Sequence, residues 1–261
     1  MDPAVAPLQQ LLCSQTYPAC REIPVPERKA KMKSDASINV RILGIVGSPR
    51  KGHNTEIMVK EALKGAESVG HVNTELYSFA DKNIAPCNSC FVCVNEKQCI
   101  ISDDFQAFAN KYLEADGVII GSPVYHLSIS AQLKAAIDRL GNTLCAKYDM
   151  NPPRFCKAGG AIVQGASKWG GEEYAVSFIV NHLLLMRNVP VSPDLNLSES
   201  PGASAHAPDP FKPSMAENKD ALAVSYNLGK RVAEMAKILK MGVSALRNDL
   251  PDEYYPSRVS F

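Results

Sequence analysis

The chain has 261 residues, of which 46% are hydrophobic and 21% charged, and its formal net charge is +1. These are the values of a globular chain with a full core, sized for one generous α/β domain or two small ones. The near-neutral balance removes any electrostatic case for nucleic acid or an anionic membrane as the main partner, and no stretch approaches the roughly 18 to 20 apolar residues of a membrane-crossing helix.

Residues 1–38 read as an N-terminal extension. They carry Pro24, Pro26 and the basic patch Arg28-Lys29-Ala30-Lys31-Met32-Lys33. No hydrophobic period is sustained there, and such a patch is ordinarily a solvated face. Asp2 and the glutamines that interrupt the first apolar run are unlike a signal peptide, so a cytoplasmic, reducing location is expected.

From Asn39 to Val46 the sequence is almost continuously apolar and β-branched, as in a strand buried on both faces. Residues 54–69 place Met58, Ala62, Ala66 and Val69 on one helical face. Val72, Thr74 and Leu76 alternate with Asn73, Glu75 and Tyr77, predicting a half-covered second strand. Ser102-Asp103-Asp104 reads as the cap of a helix with Phe105, Phe108, Ala109 and Tyr112 inward. Gly117–Gly121 is a short buried strand, 130–140 a helix with Leu133, Ala136, Ile137 and Leu140 inward, and Ala158–Val163 a fourth strand. An apolar helix over 172–187 leads to Val189-Pro190-Val191, an edge strand where proline is tolerated. A Pro-, Ser- and Ala-rich loop spans 198–214. A long helix spans 215–241, with Leu222, Ser225, Gly229, Val232, Ala236 and Leu239 on one stripe, and 242–261 reads as a tail.

This alternation predicts one α/β domain over 39–241: a five-stranded parallel sheet with helices on both faces. Right-handed crossovers favour the order 2-1-3-4-5, which puts the ligand site at the carboxyl ends of strands one and three. Strand one ends in Gly47-Ser48-Pro49-Arg50-Lys51-Gly52-His53-Asn54-Thr55. Its small and hydroxyl residues, followed by a helix N-terminus, suit an anion. Ser48, Asn54 and Thr55 can add hydrogen bonds and Arg50 a bidentate contact, so the loop is read as a cradle for one phosphate. It is neither a P-loop nor a dinucleotide fingerprint. Strand three ends in Gly121-Ser122-Pro123-Val124-Tyr125-His126, a stiff loop with an aromatic shelf. Strand four ends in the glycine-rich run Gln164 to Gly171, containing Gly165, Trp169 and Gly170. Together the three loops suit a planar cofactor with a single phosphate, and FMN is expected.

The cysteines carry the second signal. Cys87, Cys90, Cys93 and Cys99 are spaced C-x2-C-x2-C-x5-C. Bacterial ferredoxins use a similar run, and zinc sites ordinarily use separated C-x2-C pairs, so a [4Fe-4S] cluster is expected. Cys13, Cys20, Cys145 and Cys156 have no such spacing and read as free thiols. His53 reads as a structural or phosphate contact and His182, on an apolar helix, as core.

Gly47-Ser48-Pro49-Arg50, Gly121-Ser122-Pro123-Val124-Tyr125 and Gly170-Gly171-Glu172 resemble the flavodoxin-like NADPH-dependent FMN reductase superfamily. The cysteine run followed by Asp103-Asp104 resembles its iron–sulfur flavoprotein branch. The resemblance covers roughly 40–195, with the motifs in order at the ends of their strands. It implies a flavodoxin-like three-layer sandwich and a flavin-dependent oxidoreductase linked to NAD(P)H or ferredoxin. FMN would be held by Ser48, Arg50, Asn54 and Thr55 at the phosphate. Pro123, Val124, Tyr125 and His126 would line the ring, with Ser122, Gly165, Trp169 and Gly170 contributing backbone. Cys87, Cys90, Cys93 and Cys99 would ligate the cluster. It also implies a homodimer or homotetramer that brings the cluster of one subunit near the flavin of another. Tyr125 and His126 are the candidates beside the reacting ring, His126 for delivering a proton. The extension and the segments 142–157 and 192–214 exceed a minimal member; loops near a flavin face often shape the substrate pocket, so these departures leave the substrate open. Three other readings stay open at this point: a flavin or quinone reductase without a cluster, a non-enzymatic electron carrier or redox sensor, and a reductase for one small organic acceptor.

Overall fold

The computed structural model describes residues 37–167, 170–194, 200–247 and 249–255. The sequence-predicted extension, apart from its last two residues, and Trp169 lie outside them. Six parallel strands are present: β1 (Val40–Val46), β2 (Val72–Ser78), β3 (Gly117–Pro123), β4 (Ala158–Gly165), β5 (Val189–Pro190) and β6 (Ala203–His206). The helices are α1 (Asn54–Glu67), α2 (Val92–Glu96), α3 (Phe105–Glu114), α4 (Ala131–Lys147), α5 (Glu172–Leu185) and α6 (Lys219–Ala245). The order β2-β1-β3-β4-β5 is the expected one.

Side-chain alternation along the strands divides the core in two. Ile42, Val46, Ile119 and Ile162 face α1 and α6. Leu43, Ile45, Val118, Ile120 and Val163 face α3, α4 and α5. Helices therefore cover both faces, in the flavodoxin-like three-layer arrangement. β2 is the half-covered edge strand, as its alternation predicts.

Four features depart from the sequence reading. The loop expected over 198–214 contains β6, which pairs with the outer half of β4 (Ile162↔Ala203 to Gly165↔His206) beyond the two-residue β5. The sheet is thus six-stranded. The helix expected to end at 140 runs to Lys147. The last helix starts at Lys219, after a 3₁₀ turn over Ser214–Glu217, and continues to Ala245 into what reads as tail. The cysteine segment contains a short helix, α2, bounded by left-handed residues Phe91 and Lys97.

His182 is buried on α5, as its apolar helix suggests, and its ring packs 6.3 Å from that of Tyr112. Burial lowers its pKa to about 4. The folded state then binds fewer protons than the unfolded state between pH 6.5 and 4, so stability present above pH 6.5 is lost as pH falls through that window. His182→Leu is expected to flatten the acid limb of a stability–pH curve by roughly 3 kcal/mol at most. Urea denaturation of both proteins at pH 7, 6, 5 and 4 measures the difference, and parallel curves would refute it.

Candidate functional site

β1 delivers Gly47 to the carboxyl edge of the sheet, where its N–H bonds the carbonyl of Gly121 on β3 at 2.8 Å. The loop that follows is self-supporting. Ser48 is buried, and its Oγ accepts the N–H of Arg50 at 3.1 Å. Glu56 folds back from α1 to accept the N–H of Gly52 at 2.9 Å and pairs with Lys60. Burial works to raise the Glu56 pKa, but the bonds from Lys60 and Gly52 outweigh it and hold the carboxyl below its usual value. His53 precedes α1 without capping it through its side chain, which leaves the helix end for an anion. Thr55 is 1% exposed, and its Oγ1 has no hydrogen-bond partner among the described residues. A buried hydroxyl without a partner is costly, and an anionic oxygen at the helix end would satisfy it.

Seven of the expected cofactor residues meet in one cavity of about 330 Å³: Ser48, Arg50, Asn54, Thr55, Pro123, Val124 and Tyr125. His53, Gln164, Ala166, Pro210 and Phe211 complete the wall. The last two were not singled out in the sequence; they follow the unexpected β6. Asn54 Oδ1 accepts the N–H of Met215 at 3.0 Å, and the Arg50 guanidinium donates to the carbonyls of Pro210 (2.6 Å) and Phe211 (3.1 Å). Both side chains therefore also tie the cavity to the segment before α6.

Ser122, expected to contribute backbone to the cofactor, does not line this cavity with its side chain. It is fully buried, accepts the N–H of Ser130 at 3.0 Å and donates to the carbonyl of Pro123 at 2.9 Å. It braces the β3 loop from behind. Tyr125 and Ser128 exchange backbone bonds around a two-residue turn in which His126 and Leu127 both have positive φ, 47° and 66°. Such a turn ordinarily takes Asn and Gly. His126 is exposed there and does not line the cavity. Gly165 and Gly170 are shaped by a residue that the sequence reading includes in a motif but gives no role. Glu172 is buried, accepts the N–H of Gly170 at 2.8 Å, and lies where a Cβ on Gly165 would come within 2.2 Å of its Oε1.

The four cysteines lie between β2 and α3 and line a separate cavity of about 410 Å³. Cys87, Cys93 and Cys99 are half-buried, and Cys90 is exposed. Burial raises the Cys93 pKa, and the neighbouring sulfurs of Cys90, Cys99 and Cys87 raise it further. Among the described residues, no three His, Cys, Asp or Glu side chains converge as the ligands of one metal ion would. The four thiols line one cavity, a donor set of the chemistry that holds iron–sulfur clusters. Two N–H donors point at sulfur: Asn142 to Cys87 at 3.5 Å and Arg139 to Cys99 at 3.2 Å. Cys145, read as a plain free thiol, is on α4 in the same wall, whereas Cys156 is elsewhere, its thiol pushed up by burial.

A phosphate-sized cradle and an aromatic shelf at the switch point of a flavodoxin-like sheet define the class of nucleotide-binding redox folds. The chain matches the NADPH-dependent FMN reductase family over residues 40–200. It is 37% identical over 202 residues to an iron–sulfur flavoprotein of Methanocaldococcus jannaschii, covering 77% of this chain and 100% of that one. A second iron–sulfur flavoprotein, from Archaeoglobus fulgidus, is 37% identical over 151 residues, covering 58% of this chain and 75% of the other. In structure, a flavodoxin-type WrbA-like protein of Agrobacterium tumefaciens superposes with a TM-score of 0.52 at 17% identity, over 77% of this chain and 99% of that one. The chain belongs to the iron–sulfur flavoprotein branch of the NADPH-dependent FMN reductase family. It is a flavin-dependent oxidoreductase.

Proposed function

We propose that the chain binds FMN at the switch-point cavity and a [4Fe-4S] cluster on the cysteine loop, and passes electrons between them. When bound, FMN supplies one- and two-electron redox chemistry and the cluster single electrons. The observation that carries the reading is the separation of two built sites on one fold. One offers a buried, unpartnered Thr55 hydroxyl at a helix N-terminus, and the other four thiols lining one cavity with N–H donors aimed at sulfur.

Ser48, Thr55 and the first N–H groups of α1 would hold the phosphate, with Arg50 supplying positive charge beside it. Pro123, Val124 and Tyr125 would position the ring and exclude water from one side. Gln164 and Ala166, next to Gly165 and the Glu172 carboxylate that holds Gly170, would form the facing wall. His126, exposed on the turn after Tyr125, would exchange protons with solvent. Cys87, Cys90, Cys93 and Cys99 would ligate the cluster. NAD(P)H or a ferredoxin-like protein would donate electrons, and a small organic molecule would accept them.

Phe91 and Met150, 72% and 74% exposed beside the thiol cavity, favour a partner surface there. A second or fourth copy of the chain, its flavin cavity facing this loop, fits that surface. No helix among the described residues is long and apolar enough to cross a membrane.

The visible spectrum with iron and sulfide analysis of anaerobically purified protein tests the reading. About four irons per chain and one FMN are expected. Cys90→Ala is expected to lose the broad iron–sulfur absorbance and most of the iron while keeping FMN. Flavin bands with less than about one iron per chain in the unmutated protein would refute the cluster.

A further inference from the structure

The segment that follows β6 ends over the phosphate cradle as a rigid turn. Asp209 Oδ1 accepts the N–H of Phe211 at 2.9 Å, and the Asp209 carbonyl accepts that of Lys212 at 3.3 Å. Ser214 Oγ accepts the Asp209 N–H at 3.0 Å and donates to its carbonyl at 2.8 Å. These bonds make the turn without fixing where it sits. Two other contacts fix its place: Met215 N–H to Asn54 Oδ1, and the Arg50 guanidinium to the successive carbonyls of Pro210 and Phe211. Phe211 itself is 86% exposed on the cavity wall, although Met215, four residues later, is fully buried. A preorganised turn that leaves a phenyl ring in water beside a ligand cavity is shaped to be covered by the ligand.

The geometry points to Phe211 as a contact that closes the phosphate end of the FMN cavity, with Arg50 as the positioning residue that latches it there. The inference rests on the FMN reading of this cavity. Arg50 is then a clamp before it is a charge. Its planar fork reaches two peptide carbonyls from two nitrogens in one fixed geometry, whereas a lysine, a point charge on a flexible stem, could still attract a phosphate without that rigid fork. A phosphate entering or leaving the cradle must displace the Phe211 turn, and the latch slows that displacement.

Stopped-flow release and binding of FMN, on wild type, Arg50→Lys and Phe211→Ala, tests this. Losing a charge-assisted bond pair or the closing ring is expected to raise the FMN dissociation rate about tenfold in each variant. The double variant should be no faster than the faster single one, because both changes disable one device. A wild-type dissociation rate in either single variant would overturn the proposal. A second arm needs no flavin. Chymotryptic cleavage of apo-protein after Phe211 reports local opening of the turn, and Arg50→Lys is expected to speed it about tenfold. Unchanged cleavage would overturn the latch even if FMN binds. Faster cleavage in a protein that does not bind FMN would support the latch and refute the cofactor reading alone.

Discussion

Arg139→Met is expected to destabilise the protein by about 3–5 kcal/mol and to strip iron from the cysteine loop in the same variant. Arg139 projects from α4 and is 1% exposed. Its Nη1 pairs with Asp103 at 2.5 Å and donates to the carbonyl of Ala85 at 3.1 Å. Its Nη2 donates to the carbonyl of Ile101 at 3.1 Å and to Cys99 Sγ at 3.2 Å, and the guanidinium lies 4.2 Å from the centroid of Phe105. Ala85 and Ile101 each lie two residues outside the cysteine run. One buried cation therefore holds both ends of the loop to the body of the fold. Asp103 reinforces it from the other side, accepting the N–H groups of Ala85 at 2.8 Å and Phe105 at 3.0 Å.

Burial works against the charge of Arg139, but Asp103 and the Cys99 sulfur hold the guanidinium protonated. Removing it leaves a carboxylate that is 5% exposed without its counter-ion, and that outweighs the packing a methionine restores. For a domain of this size a loss of 3–5 kcal/mol lowers Tm by about 10 °C. Adding Asp103→Asn should recover about 1–3 kcal/mol of stability, since the uncompensated charge is gone, yet should not restore the iron, since the loop ends stay unclasped. Calorimetry and iron analysis on the same samples separate the two effects. A single variant with wild-type Tm would refute the clasp.

The sheet and its principal helices are legible in the sequence because their signals are long and local. β1, β3 and β4 are nearly unbroken apolar runs, and α3 and α4 carry their buried residues at the predicted positions. β6 was not legible: the alternation in Ala203-Ser204-Ala205-His206 is carried by alanines alone, too weak a signal in a four-residue run, and its strand geometry comes from the open edge of β4. That omission hides Pro210 and Phe211, so half of Arg50's role was invisible. The phosphate loop and the cysteine run show their chemistry in the residues themselves. Their supports do not. Arg139 falls among the inward positions Ala136 and Leu140 of α4, where a charge reads as an exception to the pattern; only the partner Asp103, 36 residues earlier, makes it a clasp. Asp103 itself was read as part of a helix cap, and its Oδ1 does accept the Phe105 N–H; the second oxygen is what ties the loop down. Glu172 was likewise visible only as the residue after a Gly-Gly pair.

Gly229→Ala is expected to destabilise the fold by about 3 kcal/mol, although alanine is the better helix former. α1 and α6 cross with their backbones in contact. A Cβ on Gly229 would come within 1.7 Å of the Ala62 carbonyl oxygen, and one on Gly65 within 1.9 Å of that of Tyr226. The obstructing atoms are backbone inside two helices, so no side-chain rotation relieves the clash and the helices must separate. Separation reaches the site, because α1 begins with the cradle residues Asn54 and Thr55, and the turn that enters α6 holds Asn54 through Met215. FMN affinity should therefore fall along with Tm. Gly242→Ala, on the same helix with nothing within 4 Å of the added carbon, supplies the control. It should leave FMN affinity unchanged and stabilise by up to about 1 kcal/mol, the propensity difference in an exposed turn. Chemical denaturation and FMN titration of the two variants side by side decide the matter: equal stabilities would mean that α1 and α6 do not meet backbone to backbone.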